Sequence, residues 1–402
     1  MTCIKQNAQF TFKYNMSFGR HGWLRLTPAY SVKIVEQILS ELNYSSKCVF
    51  EPFSGTGTTE LVCANNNIPA IAYDVNPFLV WLANVKCSLY APDIIKRLFK
   101  SANKVIATVE NVIPYNYPPM YNIKRWWHSK QLNYLARIKT AIWEEKDIQV
   151  FDLLKIVFCR LIITLSNATF NHVSTSFDNS KEDSFNFTDE YGNIMFLSFC
   201  EMIANTILEQ PKASVLIEKR DSTYIPTKIC GLYDTIITSP PYPNRISYIR
   251  ELRPYMYWLD FIHNPDDASD LDWGTIGGTW GVATSKLATW KIKTDLLPDY
   301  LFDIAERISS TNNKSSNLMA NYVLKYFDDI AMHMKSAYAT IKDGGTVHYI
   351  VGNSSFYGNA IPSDDIYKSI LSKVGFRGEK ALIIRKRNCN KALYEYWISA
   401  KK

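Results

Sequence analysis

Apolar residues recur at helical spacing between Ser31 and Leu42, at Val32, Val35, Ile38, Leu39 and Leu42, which predicts a helix with one buried face. Cys48-Val49-Phe50 then reads as a short buried strand and runs into Glu51-Pro52-Phe53-Ser54-Gly55-Thr56-Gly57-Thr58-Thr59. A helix over Glu60 to Asn65 and a second strand, Ala70 to Tyr73, lead to Asp74. Strand, glycine turn, helix, strand and acid in that order open a doubly wound α/β fold.

The pattern changes after Cys87. Leu132, Leu135 and Ile138 follow Trp126-Trp127-His128 at helical spacing, and a second apolar helix runs from Leu153 to Leu165. Residues 88–212 are therefore expected to form a mainly helical insertion behind a first core segment, 20–87. Strand patterns resume at Ala213 to Ile217, with Asp221 beyond, and at Tyr233 to Thr238, inside a second core segment, 213–262. A polar, Gly- and Asn-rich stretch, 263–319, reads as a second insertion or lid. The last core segment, 320–402, carries a helix over Ala320 to Ala339 and a strand over Thr346 to Val351. It ends in an alternating pair, Ala381 to Arg385 and Tyr394 to Ile398, expected to close the sheet antiparallel.

Composition narrows this picture modestly. The 402 residues are 47% hydrophobic and 21% charged, an ordinary globular balance. A formal charge of +7 suits a polyanionic partner without requiring one. The 25 Tyr and 10 Trp residues offer stacking faces with polar handles. The eight Cys are scattered, with no CxxC and no Cys/His ligand spacing, so neither a disulfide scaffold nor a metal site is expected. No apolar run approaches membrane-spanning length, and the N-terminus lacks a signal-peptide pattern, so a cytoplasmic protein is expected.

The glycine turn points to a nucleoside ligand. Gly55 and Gly57 permit a tight turn with backbone close to a bound molecule, and Asp74 stands where an acid accepts hydrogen bonds from ribose hydroxyls. A phosphate-gripping loop would need Gly-Lys-Ser/Thr, and a dinucleotide loop a third glycine where this chain has Glu60. With Glu51 just upstream, the turn better suits a cationic cofactor without phosphates, S-adenosylmethionine. Thr58 or Thr59 bonds the methionine carboxylate or caps the helix; both readings stand.

Thr238-Ser239-Pro240-Pro241-Tyr242 follows a strand, at the carboxyl edge where open α/β sheets place their sites. Two prolines remove two backbone donors and fix the chain, leaving outward carbonyls. An exocyclic base amine is a poor nucleophile because its lone pair is delocalised into the ring. Hydrogen bonds from that amine to the Ser239 side chain and the Pro240 carbonyl would draw it towards tetrahedral geometry, while Tyr242 stacks on the base. A base in a duplex must first be flipped out.

These motifs resemble the amino-methylating DNA methyltransferases. The likeness is carried by Phe53-Ser54-Gly55-Thr56-Gly57, by Thr238-Ser239-Pro240-Pro241-Tyr242, and by Asp74. Asp221 resembles the acid beside the cofactor's adenine, and Thr27-Pro28 the segment beside the methionine moiety; the two insertions match nothing specific. The resemblance implies a Rossmann-like class I methyltransferase fold, with a mixed, mainly parallel sheet and helical insertions. It also implies direct, metal-free transfer from S-adenosylmethionine to duplex DNA, in a restriction–modification setting with a cognate endonuclease as candidate partner. Serine before Pro-Pro-Tyr is commoner in the N4-cytosine branch, so N4-methylcytosine is the expected product and N6-methyladenine the alternative. An RNA or protein-amide substrate is a more distant one. No Pro-Cys pair occurs, which disfavours the C5-cytosine branch.

Candidate DNA contacts follow the strip at Asn244, Arg245 and Arg250, and recur in the basic run at Arg385 and Arg387. An ion pair is an equal reading for Arg245. Asp272 to Gly281, rich in Gly and Trp, suggests a mobile lid, and Asn353 either lines the base pocket or caps. Trp126-Trp127 reads as helix packing.

Overall fold

The computed structural model describes residues 7–26, 29–169, 176–177, 187–244, 247–278, 282–387 and 392–402. Thr27, Arg245 and Trp280, singled out above, lie outside them.

The centre is a seven-stranded sheet. In chain order its strands are β1 (Val49–Glu51), β2 (Ala70–Asp74), β3 (Val215–Lys219), β4 (Thr235–Thr238), β5 (Thr346–Gly352), β6 (Arg377–Lys386) and β7 (Tyr394–Lys401). They lie side by side as β6-β7-β5-β4-β1-β2-β3. β3 to β2, β2 to β1, β1 to β4 and β4 to β5 pair parallel, whereas β7 is antiparallel to both β5 and β6. The fold is thus the Rossmann-like, mainly parallel α/β arrangement that the motifs imply. Every residue of β4 is buried, as expected of a parallel strand covered on both faces.

Local sequence explains the ordered helices nearest the sheet. Ser31 caps helix Val32–Glu41, accepting from the Lys33 N–H at 3.2 Å. Its apolar face, with Val32, Val35, Ile38 and Leu39, packs with Val49, Ile237 and Ile350 on one side of the sheet. Phe50, Ile236, Val347 and Tyr349 pack on the other side with helix Ser316–Thr340.

Helices Ile94–Thr108, Ser129–Trp143, Ile148–Thr164 and Asp189–Ile207 share a separate core. That core reaches the sheet region through helices Pro77–Cys87 and Tyr248–Trp258. Trp127 is buried there, its indole donating to the Ile162 carbonyl at 2.8 Å. The polar stretch after His263 is helical in large part. It holds helices Pro265–Gly274, Val282–Thr289 and Asp299–Ser309, whose Leu287, Leu301, Ile304 and Ile308 join the core beneath Phe50 and Ile236.

Candidate active site

Strand order reverses between β1 and β4, so the loops leaving their carboxyl ends part and open a crevice. A cavity of about 790 Å³ lies there, walled by the glycine turn on one side and Ser239 to Tyr242 on the other. The two motifs, far apart in sequence, share one chamber.

Gly55 and Gly57 both have left-handed backbones, φ 52° and 75°. At Gly57 there is a second constraint, since a Cβ would come within 2.9 Å of the Ala83 Cβ. The Gly55 N–H donates to Asp74 Oδ2 at 2.9 Å and the Asn76 N–H to Oδ1 at 2.8 Å. Each carboxylate oxygen thereby keeps lone pairs for a ligand, and Asp74 lines the cavity. Burial raises its pKa to about 6 against the pull of those backbone N–H groups.

Ser54, Gly55, Thr56 and Thr58 line the cavity, as do Phe53 and Asp221. Phe53 packs edge-on to His333 at 4.9 Å between centroids. His333 is buried and neutral, its pKa lowered to about 4 by desolvation. Nδ1 faces the Ser222 carbonyl at 3.0 Å and must donate, so Nε2 accepts from Tyr349 at 2.9 Å. His333 thus ties the segment beside Asp221 to β5.

Glu51 takes a different place from the one its position suggested. Its carboxylate is fully buried beneath the turn, accepting from the Phe53 N–H at 2.9 Å, Thr59 at 2.6 Å, Tyr30 at 3.3 Å and Thr238. Thr59 is therefore committed to Glu51, and no side chain caps its helix, whose N-cap is Gly57. Lys86, also buried, donates to the Thr56 carbonyl at 2.9 Å from behind. The cation supports the turn's far side and grips nothing in the cavity. The donor set fits a phosphate-free nucleoside: open carboxylate lone pairs at Asp74, and no lysine within the turn.

On the opposite wall the Pro241 carbonyl accepts from the Tyr326 hydroxyl at 2.7 Å. Pro240 lines the cavity. The Tyr242 N–H donates to the Tyr248 hydroxyl at 3.1 Å, and the Tyr242 hydroxyl donates to Glu395 at 2.7 Å. Arg387 lies over the Tyr242 ring, 5.0 Å from its centroid, and donates to the Asn353 carbonyl at 2.7 Å. Arg385 makes a two-pronged pair with Glu395, at 2.7 and 3.1 Å. Arg385 and Arg387 of the basic run thus line the cavity.

Asn244 and Arg250 also line the chamber. Asn353 does not serve as a pocket wall or a helix cap; its side chain accepts from the Tyr394 N–H at 2.7 Å and ties β5 to β7. Over Asp272 to Gly278 the candidate lid is packed at one end, and its Gly274, Thr275 and Ile276 line the cavity. Asp272 is buried and accepts from Ser247 at 2.7 Å. Trp273 lies half-buried between the Lys286 and Lys325 ammonium groups, 5.4 and 4.8 Å from its ring. Tyr326, His333, Lys86 and Glu395 were missed because each reaches the site from an element with no motif of its own.

Residues 32–201 match the model of the D12 class of N6 adenine-specific DNA methyltransferases. That match runs through most of the first insertion, correcting the expectation that this region resembles nothing specific. The chain is 23% identical to the Type II methyltransferase M.AvaI of Nostoc sp., over 93% of this chain and 82% of the relative. It is 22% identical to M.MvaI of Kocuria varians, over 85% and 77%, and 22% identical to M.BsoBI of Geobacillus stearothermophilus, over 94% and 83%.

Proposed function

From its resemblance to the amino-methylating DNA methyltransferases of restriction–modification systems, we propose that this chain methylates an exocyclic base amine in duplex DNA. The observation that carries the reading is the single cavity shared by the glycine turn with Asp74 and the Ser239 to Tyr242 strip.

Asp74 would accept from the ribose hydroxyls of S-adenosylmethionine, Gly55 and Thr56 would lie along the nucleoside, and Asp221 would stand by the adenine. Thr58, 3.1 Å from the Thr56 hydroxyl and lining the cavity, would bond the methionine carboxylate. Glu51 holds the turn's shape from below rather than touching the ligand. When bound, the cofactor supplies a methyl group on a sulfonium, electrophilic enough for direct displacement.

The chain's own residues then have to make an amine nucleophilic. The Pro241 carbonyl already accepts from Tyr326; the Pro240 carbonyl and the Ser239 hydroxyl would be the acceptors for the amine. Arg387 lies over the Tyr242 ring, and that ring would stack on a flipped base, a contact worth about 1–3 kcal/mol. Asn244, Arg245, Arg250 and Arg387 would meet the displaced strand and its phosphates. Arg385, committed to Glu395, serves the wall. The helical region before Pro211 would add DNA-reading surface.

Ser239 favours cytosine N4 as the acceptor. The match to the adenine-specific D12 class favours adenine N6, and the same geometry serves both. Incubating unmethylated duplex DNA with labelled S-adenosylmethionine and analysing the nucleosides separates them. N4-methylcytosine is expected; N6-methyladenine would reassign the base, and no transfer to any DNA would sink the reading.

A further inference from the structure

Glu395 belongs to none of the motifs above, yet it ends a chain of polar contacts that begins at Ser239. It sits near the start of β7, opposite Arg385 of β6 and Gly352 of β5 in register. It is 3% exposed. Arg385 engages both carboxylate oxygens, Nε to Oε2 at 2.7 Å and Nη2 to Oε1 at 3.1 Å. Oε1 also receives the Tyr242 hydroxyl at 2.7 Å. The Ser239 hydroxyl stands 3.5 Å from the Tyr242 oxygen, a long contact of the kind that tightens when a site fills.

The direction of this chain follows from proton counting. A carboxylate held by a guanidinium can only accept. Tyr242 has one hydroxyl proton and gives it to Glu395, so its oxygen must accept. Ser239 has one proton and gives it to Tyr242. What Ser239 then presents to the cavity is lone pairs and no donor.

On the premise that the site methylates a base amine, we propose that Glu395 is a positioning residue that orients the Ser239–Tyr242 hydroxyls so that Ser239 meets only hydrogen-bond donors. The arrangement selects the target by polarity. A cytosine N4 or adenine N6 amine brings an N–H to the serine lone pair. A thymine O4 or guanine O6 brings an acceptor against an acceptor, and an unpaired buried polar pair is strongly disfavoured. Arg385 keeps the device charged, and its pairing to Glu395 across adjacent strands keeps it in place.

The test is a double-mutant cycle on methyl transfer to duplex DNA, with cofactor affinity and thermal stability measured alongside. E395Q keeps the shape but replaces the obligate acceptor with a group that can also donate. Y242F keeps the stacking ring and removes the relay. Each is expected to lower kcat about 10-fold or more with cofactor Kd unchanged, and E395Q also to lower the melting temperature, since it leaves the Arg385 guanidinium without its counter-charge. The double variant should be little worse than either single one, because both break the same chain. E395D should recover part of the rate, as a shorter obligate acceptor. Multiplying losses, or a Y242F enzyme with wild-type kcat, would overturn the proposal. An E395Q defect confined to stability would also do so, reducing Glu395 to a structural ion pair. Absence of transfer by the wild-type chain would instead reject the methyltransferase reading itself.

Discussion

Asp74 illustrates how a single residue's surroundings bear on the role proposed for it. Its folded pKa of about 6 lies above the ordinary carboxylate range, with burial as the cause. The ionised form is the better acceptor for ribose hydroxyls, so cofactor affinity should be full above pH 6 and fall as pH drops through it. For this group, acidification relieves a burial cost of the folded state, so the loss of binding is not a loss of fold. Titration calorimetry between pH 5 and 8 should show the decline, and Asp74→Asn should flatten it. That variant should bind about 30-fold more weakly at pH 8, from roughly 2 kcal/mol of charge-assisted hydrogen bonding. An unchanged pH profile in Asp74→Asn would remove Asp74 from the site. Ser239→Ala should do the converse, lowering kcat about 10–100-fold with cofactor affinity intact. Equal loss of both quantities in each variant would contradict the division of roles. These two residues were legible because each sits in a short motif whose chemistry is local. Glu395 and His333 were not, because their roles come from register and burial. Nothing in Tyr394-Glu395-Tyr396 announces a partner at Tyr242.

Among the elements, the ones read correctly carry simple periodicity or alternation. The helix capped by Ser31, the strand that runs into Ser239 and the closing pair β6–β7 are each visible in apolar spacing. In the segment after His263, expected as an insertion or lid, Gly, Asn and Asp do not announce the helices it contains. Asn264 and Asp267 instead build a reciprocal cap on helix Pro265–Gly274. Helix Pro77–Cys87 went unread although Asn76 caps it, accepting from the Phe78 N–H at 2.9 Å, and Pro77 starts it. That helix explains the second glycine of the turn. Ala83 packs where a Gly57 Cβ would go, and the backbone there is left-handed as well. Gly57→Ala should therefore cost about 1–3 kcal/mol by chemical denaturation. Adding Ala83→Gly should restore the steric part and leave the backbone part. A Gly57→Ala variant as stable as the parent would show that the turn shifts freely. Lys86, on the same helix, holds the Thr56 carbonyl, so one element supports the turn at two points.

For the whole molecule, the question is how a net charge of +7 is used. Much of the basic surface near the site is spoken for. Arg385 is neutralised by Glu395, and Lys86 is buried behind the turn. Arg250 and Arg387 line the cavity, as Tyr242 does, where phosphates flanking a flipped nucleotide would pass under the proposed function. Phosphate contacts release counterions, so DNA affinity should fall steeply as salt rises, and each lost contact should flatten the log–log slope by about one unit. Arg250→Gln and Arg387→Gln should each do this while weakening specific and non-specific DNA alike. Fluorescence anisotropy over a salt series, on a methylatable duplex and a scrambled one, reads both effects. A change confined to the methylatable duplex would make the arginine a reader of bases. An unchanged slope would place the phosphate path elsewhere, with the helices before Pro211 as the next surface to test. Both results are informative because Arg387 also braces Tyr242: a slope change without a kcat change separates its contact with DNA from its contact with the stacking ring.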